Sequence, residues 1–186
     1  MGVKDDPLGL LTVLEQGAVR LEPLEERHRA ALREACGEDP AIWEIYAISY
    51  APAQFDASFD KLLANPARLP FALLVDGELA GMTAWIDADP ARRSAEIGNT
   101  YIRPAQRGGA VNAAMKRLLF AHGFACGLLR IQLCVDVRNQ RSQAACRKVG
   151  ATFEGVLRNH MITWTGHQRD TAVFSVVERD REKLGL

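Results

Sequence analysis

A change in hydrophobic periodicity constrains the fold of this chain more than any other feature of its sequence. From Val111 to Cys126, apolar residues recur at the i, i+3, i+4 spacing of one helix face. From Leu129 to Val135, they alternate with polar residues as in a strand. Between Phe71 and about Arg103, ahead of this helix, the pattern is also that of strands. One strong helix between two strand regions predicts a strand–helix–strand unit.

A meander of strands is predicted before this helix. The turn Asp76-Gly77 lies between the apolar runs Phe71–Val75 and Leu79–Ile86, and it supplies the positive φ values that a tight hairpin requires. A further strand is predicted at about Ala95–Arg103, where Pro104 ends the ladder because it has no N–H to donate. A meander that leads into a strand–helix–strand unit implies a mixed sheet with helices on its faces.

The remaining segments complete the order of elements. Strands are predicted at about residues 18–24, Ala151–Trp164 and Arg169–Val177, and helices at Glu25–Cys36, Phe55–Ala64 and about Gln140–Val149. We therefore predict an α/β (α+β) fold with a mixed, mostly antiparallel central sheet of about seven strands, flanked by helices. Residues 18–186 are expected to form one domain after an N-terminal extension of residues 1–17.

The balanced charge of the chain narrows the class of partner. The chain has 186 residues, with 23 Lys and Arg against 23 Asp and Glu, and 48% of its residues are hydrophobic. This composition favours a folded core over a disordered chain. It also argues against a nucleic-acid partner, because such binding relies on a concentrated excess of positive charge. A local anion pocket stays compatible with zero net charge.

The sequence also predicts no membrane partner and a cytoplasmic location. Every apolar run is far shorter than the ~20 residues that a membrane span needs. The first residues carry acid where a secretory signal would be basic. The four cysteines form no CxxC pair and do not cluster with the histidines, so we expect reduced thiols and no metal site.

A glycine turn precedes the strong helix. The segment from Arg107 to Asn112, Arg-Gly-Gly-Ala-Val-Asn, places small residues where a helix leaves backbone N–H groups without partners, at the positive end of its dipole. Phosphate groups bind well there, and Arg103 and Arg107 could add charge. The alternative is a tight turn that binds nothing. The segment is neither a P-loop nor a Rossmann fingerprint, because the spacing of both motifs is missing.

Further motifs follow the glycine turn in a fixed order. They are Asn139-Gln140-Arg141-Ser142 at the start of a helix that ends at Gly150, then Glu154-Gly155-Val156-Leu157-Arg158, then Gly166 with Arg169-Asp170. Together with the meander and the glycine turn, this order resembles the GNAT superfamily of acetyl-CoA-dependent N-acetyltransferases. More narrowly, it resembles the RimJ/RimL branch, whose founding members acetylate the N-termini of ribosomal proteins. The resemblance spans about Val19 to Val177.

The resemblance implies acetyl-CoA as co-substrate. Its pyrophosphate would bind the amides of the glycine turn, in which Ala110 stands where the family usually has Gly, and Asn112 where it usually has Gly or Ala. Its pantetheine arm would pair with the strand that ends near Ile102, where two strands diverge. Asn139 would cap a helix and also contact pantetheine, and Ser142 would lie near the thioester sulfur, with a solvent-facing role as its alternative. The implied cofactor-binding residues are Tyr101, Ile102, Arg107, Gly108, Gly109, Ala110, Val111, Asn112, Asn139 and Ser142.

Acetyl transfer to an amine needs a base, a donor for the oxyanion and a group that accommodates the thiolate. By the resemblance, Glu96 is the first candidate for the base, and His160, Asp136 and Glu154 are the others. A backbone N–H near Tyr101 or Ile102 would hold the oxyanion, and Ser142 could act as the acid. Met161 stands about where some members carry a catalytic carboxylate, which leaves the base open.

The resemblance implies a primary amine as acceptor, either a protein N-terminus or a small molecule, with direct transfer in a ternary complex. A non-catalytic acyl-CoA-binding module is the alternative function, and monomer and homodimer both stay open. An aromatic group before the meander, Trp43, Tyr46, Tyr50 and Phe55, is expected to be core rather than an acceptor pocket. Arg169 and Asp170 are expected to form a structural ion pair.

Overall fold

The computed structural model of the chain describes residues 5–186. Its strands are β1 (Leu14–Gln16), β2 (Val19–Pro23), β3 (Arg68–Val75), β4 (Glu78–Asp89), β5 (Ser94–Ile102), β6 (Arg130–Asp136), β7 (Thr152–Ile162) and β8 (Gln168–Val177). Its α-helices are α1 (Arg29–Gly37), α2 (Phe55–Ala64), α3 (Val111–Ala125), α4 (Gln140–Lys148) and α5 (Arg181–Leu184). Short 3₁₀ turns lie at Glu26–His28, Pro40–Ile45, Pro104–Gln106 and Glu178–Asp180.

All eight strands of the described residues form one sheet in the order β1-β2-β3-β4-β5-β6-β8-β7. Only β5 and β6 run parallel, and they pair over three residues, Ser94–Glu96 with Arg130–Gln132. Beyond these pairs the ladder between the two strands stops, although both strands continue. The sheet is therefore split between β5 and β6 toward the carboxyl ends of both strands.

Helices cover the two faces of the sheet unequally. On one face, α3 and α4 bury a first core that includes Met115, Phe120 and Ile131. On the other face, α1, α2 and the turn Pro40–Ile45 bury a second core that includes Phe59. The second core contains no residue of β6, β7 or β8. This face of the three-stranded end of the sheet is consequently more polar.

The sequence predicted most of these elements. Helix α2 has the predicted bounds, and the meander, α3, β6 and the last hairpin lie within a few residues of their predicted positions. The helix predicted from Glu25 instead opens with the 3₁₀ turn Glu26–His28 before α1. The strand β1 was not predicted, because three residues are too few to show a period, and it brings the count to eight rather than seven.

Part of the predicted N-terminal extension joins the sheet. Residues 14–16 pair with β2 in an antiparallel ladder, and Leu10 is fully buried in the first core. The Asp6 carboxylate accepts hydrogen bonds from the main-chain N–H groups of Leu10 and Leu11, at 3.0 and 2.7 Å, which fixes the preceding turn. Residues 1–4 of the extension lie outside the described residues.

No helix within residues 5–186 is long and apolar enough to cross a membrane. All four cysteines are free thiols, with Cys36 and Cys146 buried.

Candidate active site

A bulge in β5 lies at the point where the sheet splits. Ala84 of β4 pairs with Gly98 and Met82 pairs with Tyr101, so β5 carries one residue more than β4 between these pairs. The extra residue is accommodated at Asn99, whose φ is 51°. A bulge bends the strand and changes which groups it presents to its surroundings. Here it bends β5 at the start of the part that β6 does not pair.

The main chain of β5 beyond the bulge offers polar groups to the split. Arg103 N–H donates to the Ala80 carbonyl of β4 at 2.8 Å. Because main-chain groups alternate in direction along a strand, Tyr101 also faces β4, while Thr100 and Ile102 face the split. The Thr100 carbonyl accepts from the Tyr46 hydroxyl at 2.9 Å. Of the two predicted oxyanion donors, it is therefore the N–H of Ile102 that faces the split.

The start of α3 carries a run of unpartnered amides. The first helical hydrogen bond joins Ala114 N–H to the Ala110 carbonyl at 2.9 Å. Within residues 5–186, the N–H groups of residues 108–113 have no backbone or side-chain acceptor, and the N-cap Ala110 supplies none. Gly108 has a φ of 78°, and a Cβ built on Gly108 or Gly109 meets nothing within 4 Å. These amides are open to a bound anion.

The two arginines beside this turn are directed elsewhere. Arg107 forms an ion pair with Asp39, and its Nε donates to the Ile102 carbonyl at 2.7 Å. Arg103 forms an ion pair with Glu38, and it donates to the Leu79 carbonyl at 3.1 Å. The expectation that both arginines add charge at the turn does not match this geometry. Acidic residues that follow or end α1 attract both side chains, which sequence spacing alone could not reveal.

The start of α4 has the predicted cap. Asn139 Oδ1 accepts a hydrogen bond from the main-chain N–H of Ser142 at 3.0 Å, and Asn139 N–H donates to the Asp136 carbonyl at 2.8 Å. This cap satisfies one of the free amides of the helix and fixes the side chain of Asn139 beside the end of β6. The Ser142 hydroxyl is half-buried and makes no hydrogen bond within the described part of the chain. It is therefore free to bind a ligand.

Glu96 is held in the last residue pair before the split. Its neighbours Ala95 and Ile97 belong to the first core, so the Glu96 side chain lies on the opposite face, on the side of α1 and α2. Gln132 Nε2 lies 3.4 Å from Glu96 Oε2. Burial raises the pKa of Glu96, and the hydrogen bonds and arginine charges around it oppose the rise only in part. Arg93, close to Glu96 in sequence, binds elsewhere, because its Nε donates to the Gly127 carbonyl at 2.7 Å.

The two other carboxylate candidates are strongly paired. Burial would raise the pKa of Asp136, but its hydrogen bonds with Arg138, at 2.8 Å from Nη2, outweigh burial and lower it. Arg130 holds Glu154 through two hydrogen bonds of 2.6 and 2.5 Å, and this pairing lowers the pKa of Glu154 to about 2. Carboxylates held in this way are weak bases near neutral pH.

His160 lies farther from the split. It is exposed on the edge strand β7, and its Nδ1 lies 3.1 Å from the Thr171 hydroxyl. The strands β8 and β6 lie between β7 and β5.

The expected ion pair between Arg169 and Asp170 is wrong. Arg169 donates to the Cys134 carbonyl at 3.1 Å, while Asp170 accepts from the main-chain N–H of Asn159 at 2.7 Å. Consecutive residues of a strand point to opposite faces of the sheet, so the two side chains cannot meet. Arg169 is buried on the same face as Cys134, where its charge acts on Glu96.

The aromatic group is core at three of its four positions. Trp43, Tyr50 and Phe55 are buried, and Trp43 stacks on Tyr101 with ring centroids 4.8 Å apart. The fourth residue, Tyr46, is half-buried and reaches the split through its hydrogen bond to Thr100. Burial raises the pKa of Tyr46 to about 12, so it stays protonated and donates that bond at neutral pH.

A cavity of about 560 Å³ adjoins the bulge on the α2 side of the sheet. Asn99 of the bulge, Lys61 of α2 and Trp164 of the β7–β8 turn are among its lining residues. Trp164 Nε1 donates to the Trp43 carbonyl at 2.8 Å, which ties the last hairpin to the segment before α2. No sequence motif indicates this cavity, because its residues come from five separate parts of the chain.

The split sheet, the unpartnered amides of α3 and the half-buried carboxylate of Glu96 suit acetyl transfer to an amine, and the chain is an N-acetyltransferase. It belongs to the GNAT family, since the family model described as "Acetyltransferase (GNAT) domain" matches residues 18–152. The resemblance found in the sequence and the predicted fold class are both confirmed.

Three known proteins illustrate the similarity. The chain is 30% identical over 145 residues to "Putative ribosomal N-acetyltransferase YdaF" of Bacillus subtilis (strain 168), which covers 78% of this chain and 76% of that protein. A solved GCN5-related N-acetyltransferase from Brucella melitensis matches with a TM-score of 0.87 and 29% identity, over 98% of this chain and 84% of that one. Mycobacterium smegmatis RimJ in complex with CoA-disulfide matches with a TM-score of 0.75 and 26% identity, over 91% and 86%.

Proposed function

We propose that this N-acetyltransferase takes acetyl from acetyl-CoA and transfers it directly to a primary amine in a ternary complex, without an acyl-enzyme cysteine. The observation that carries the proposal is the run of unpartnered amides at residues 108–113, beside a split that exposes the main chain of β5. The pyrophosphate of CoA is the type of group that such amides bind, and RimJ, a similar structure, is in complex with CoA-disulfide.

The pantetheine arm fits the split. Main-chain groups of Thr100 and Ile102 face it from β5, and Asn139 at the start of α4 offers its amide nitrogen from the other side. The Thr100 carbonyl is bonded to Tyr46 and the Ile102 carbonyl to Arg107. Pantetheine amides that pair with β5 would exchange with one or both of these bonds. This exchange would replace one protein donor by another and leave no carbonyl without a partner.

Glu96 is proposed as the base, ahead of His160. A base must be unprotonated yet basic enough to accept the amine proton, and burial raises the pKa of Glu96 toward that range. It also lies on the last paired residues before the split, whereas His160 lies on the edge strand β7. The N–H of Ile102 would stabilise the oxyanion, and the unpartnered Ser142 hydroxyl would donate a proton or a hydrogen bond to the departing thiolate.

The acceptor is either a protein N-terminus or a small amine. One relative is named "Putative ribosomal N-acetyltransferase YdaF", and another is named "Spermidine N(1)-acetyltransferase". A protein N-terminus and a polyamine both react through a primary amine, which is consistent with one mechanism at the β5 bulge and with different acceptor pockets beside it.

Calorimetry with CoA tests the cofactor site. Ala110 is exposed, has an ordinary helical φ of −77° and supplies no side-chain cap, so it tolerates a longer side chain. Ala110→Glu places a negative charge where the pyrophosphate would bind, and we expect it to weaken CoA binding by about tenfold or more. Ala110→Gln has nearly the same shape without the charge and should stay within about threefold of wild type.

Equal binding by wild type and Ala110→Glu would contradict the site. Catalysis is tested separately, by measuring CoA release from acetyl-CoA with a broad panel of amines and peptides. A protein that binds CoA but releases none with any acceptor would be the non-catalytic module instead.

A further inference from the structure

The cavity beside the β5 bulge has an unusual charge distribution. Its lining residues include two cationic side chains, Lys61 and Arg68, and no Asp or Glu. The remaining polar groups are neutral hydroxyls and amides, such as those of Ser58 and Asn99. A pocket for a polycationic amine needs carboxylates that bind the ammonium groups remote from the reacting one. This cavity has the opposite character.

The carboxylates of α2 do not neutralise the positive charge of the cavity. Asp56 and Asp60 face α1, where Arg29 forms ion pairs with both, at 3.1 and 2.5 Å, and Arg33 also contacts Asp56. The α1 side of α2 is thus neutralised internally. Lys61 lies on the cavity side of the same helix, and it makes no ion pair within residues 5–186.

Arg68 links the cavity to the reacting carboxylate. It lies close enough to Tyr50 and to Glu96 that its charge opposes the rise that burial causes in the pKa of each. Tyr50 in turn accepts a hydrogen bond from Asn99 Nδ2 at 2.9 Å, so the floor of the cavity is attached to the bulge. Asn99 of the bulge lines the cavity, and Glu96 lies three residues before it on β5. We therefore place the body of an amine that reacts at Glu96 in this cavity, next to Arg68 and Lys61.

We infer that the acceptor is a primary amine that also carries a carboxylate, such as an amino acid or a molecule of similar size, and that polyamines are poor acceptors. The inference rests on the proposed acetyl transfer at Glu96. The carboxylate would lie near Lys61 and Arg68, whereas a second ammonium group at that position would be repelled by both. A volume of about 560 Å³ accommodates a small molecule.

Three acceptors share a 1,5-diaminopentane skeleton and test the inference: L-lysine carries a carboxylate on it, L-lysinamide a neutral amide, and 1,5-diaminopentane neither group. We expect kcat/KM for lysine to exceed that of the other two by about tenfold or more. In Lys61→Glu, the ratio of kcat/KM for lysine to that of the other two acceptors should fall to about threefold or less. The affinity for CoA, measured by calorimetry, should stay at the wild-type value. Lys183→Glu, which makes the same charge reversal in α5, should keep the wild-type preference.

The outcomes separate this inference from the proposed function. If wild type acetylates 1,5-diaminopentane as well as or better than lysine, the inference is overturned and the acetyl transfer stands. If Lys61→Glu keeps the full preference for lysine, the cavity is not what selects the acceptor. If no amine is acetylated although CoA binds, the proposed function fails. Equilibrium binding of lysine and 1,5-diaminopentane to the CoA complex then decides the inference, and equal or tighter binding of the diamine overturns it.

Discussion

At the scale of single residues, the carboxylates of this sheet show how surroundings set chemistry. Glu96 and Glu154 carry the same side chain on the same sheet. Burial raises the pKa of Glu96, while two hydrogen bonds from Arg130 lower the pKa of Glu154 to about 2. The first is thereby suited to exchange a proton, and the second stays ionised at neutral pH. Among the carboxylates of residues 5–186, Glu96 alone combines proximity to the split with a raised pKa.

Replacing Glu96 by Gln should remove the base with little change in shape. We expect kcat to fall by about 10²–10³ with a small change in KM. Only the ionised carboxylate accepts a proton, so the wild-type kcat/KM should rise with pH through the pKa of Glu96. Since that pKa is raised, the rise should lie above the usual range of a glutamate, and it should disappear in the variant.

His160→Gln supplies the comparison. It removes the imidazole from an exposed position on β7, and kcat should stay within about threefold of wild type. If the acid limb of the pH profile persists in Glu96→Gln and is lost in His160→Gln, the two assignments must be exchanged.

At the scale of elements, the approach of β4 to β5 depends on one glycine. A Cβ built on Gly81 would lie 2.0 Å from the Tyr101 carbonyl oxygen and 2.9 Å from its carbonyl carbon. Both contacts are to backbone, so no rotamer change relieves them. The close approach fixes the end of β5 whose other side faces the split. Packing of β4 therefore positions the main chain that we propose to bind pantetheine.

Gly81→Ala should consequently destabilise the protein. We expect a loss of about 3 kcal/mol or more in the free energy of unfolding, and a fall of about 10 °C in Tm. Gly37→Ala is the matched control, because its Cβ would lie at an ordinary 3.5 Å from Pro52 Cγ at the end of α1. That change should be neutral or stabilising by up to about 1 kcal/mol. Thermal unfolding of both variants decides the point, and equal Tm values would show that β4 and β5 can separate locally.

Features that depend on residues close in sequence could be predicted, whereas features that depend on long-range contacts could not. Helix α3 and the hairpin at Asp76-Gly77 follow from residues close in sequence, and so does the Asn139 cap. The orientation of Arg107 depends on Asp39, 68 residues away, and could not be derived from the glycine turn. The cavity at Lys61 is likewise assembled from distant segments. Motifs therefore predicted the elements that carry the proposed cofactor site, the glycine turn and the Asn139 cap, whereas no motif indicated the cavity.

At the scale of the whole molecule, the two ends of the sheet are stabilised differently. Strands β3, β4 and β5 contribute to both cores, whereas β6 and β8 contribute only to the first and β7 contributes to neither. On the open face of this end, a polar ladder crosses three strands. Arg130 of β6 forms an ion pair with Glu154 of β7 at 2.5 Å, and Ser175 of β8 between them donates to the same carboxylate at 2.7 Å. This ladder takes the place of an apolar layer.

The stability of the folded chain should therefore depend on pH through Glu154. Its folded pKa, about 2, is below the unfolded value, so the stabilisation is fully present above about pH 4.5 and is lost as the pH falls toward 2. Because both side chains are about one-third exposed, we expect Glu154→Gln to cost only roughly 0.5–1 kcal/mol at pH 7. Urea unfolding at pH 7, 5 and 3 should show the same difference between wild type and Glu154→Gln at pH 7 and pH 5, and a smaller difference at pH 3.

Two further variants serve as controls. In an Arg130→Gln background, Glu154→Gln should cost much less stability than in wild type, whereas Glu182→Gln in α5 should change stability little at any pH. A cost that is equal at pH 3 and pH 7 would mean that packing of the side chain, rather than its charge, stabilises this end of the sheet.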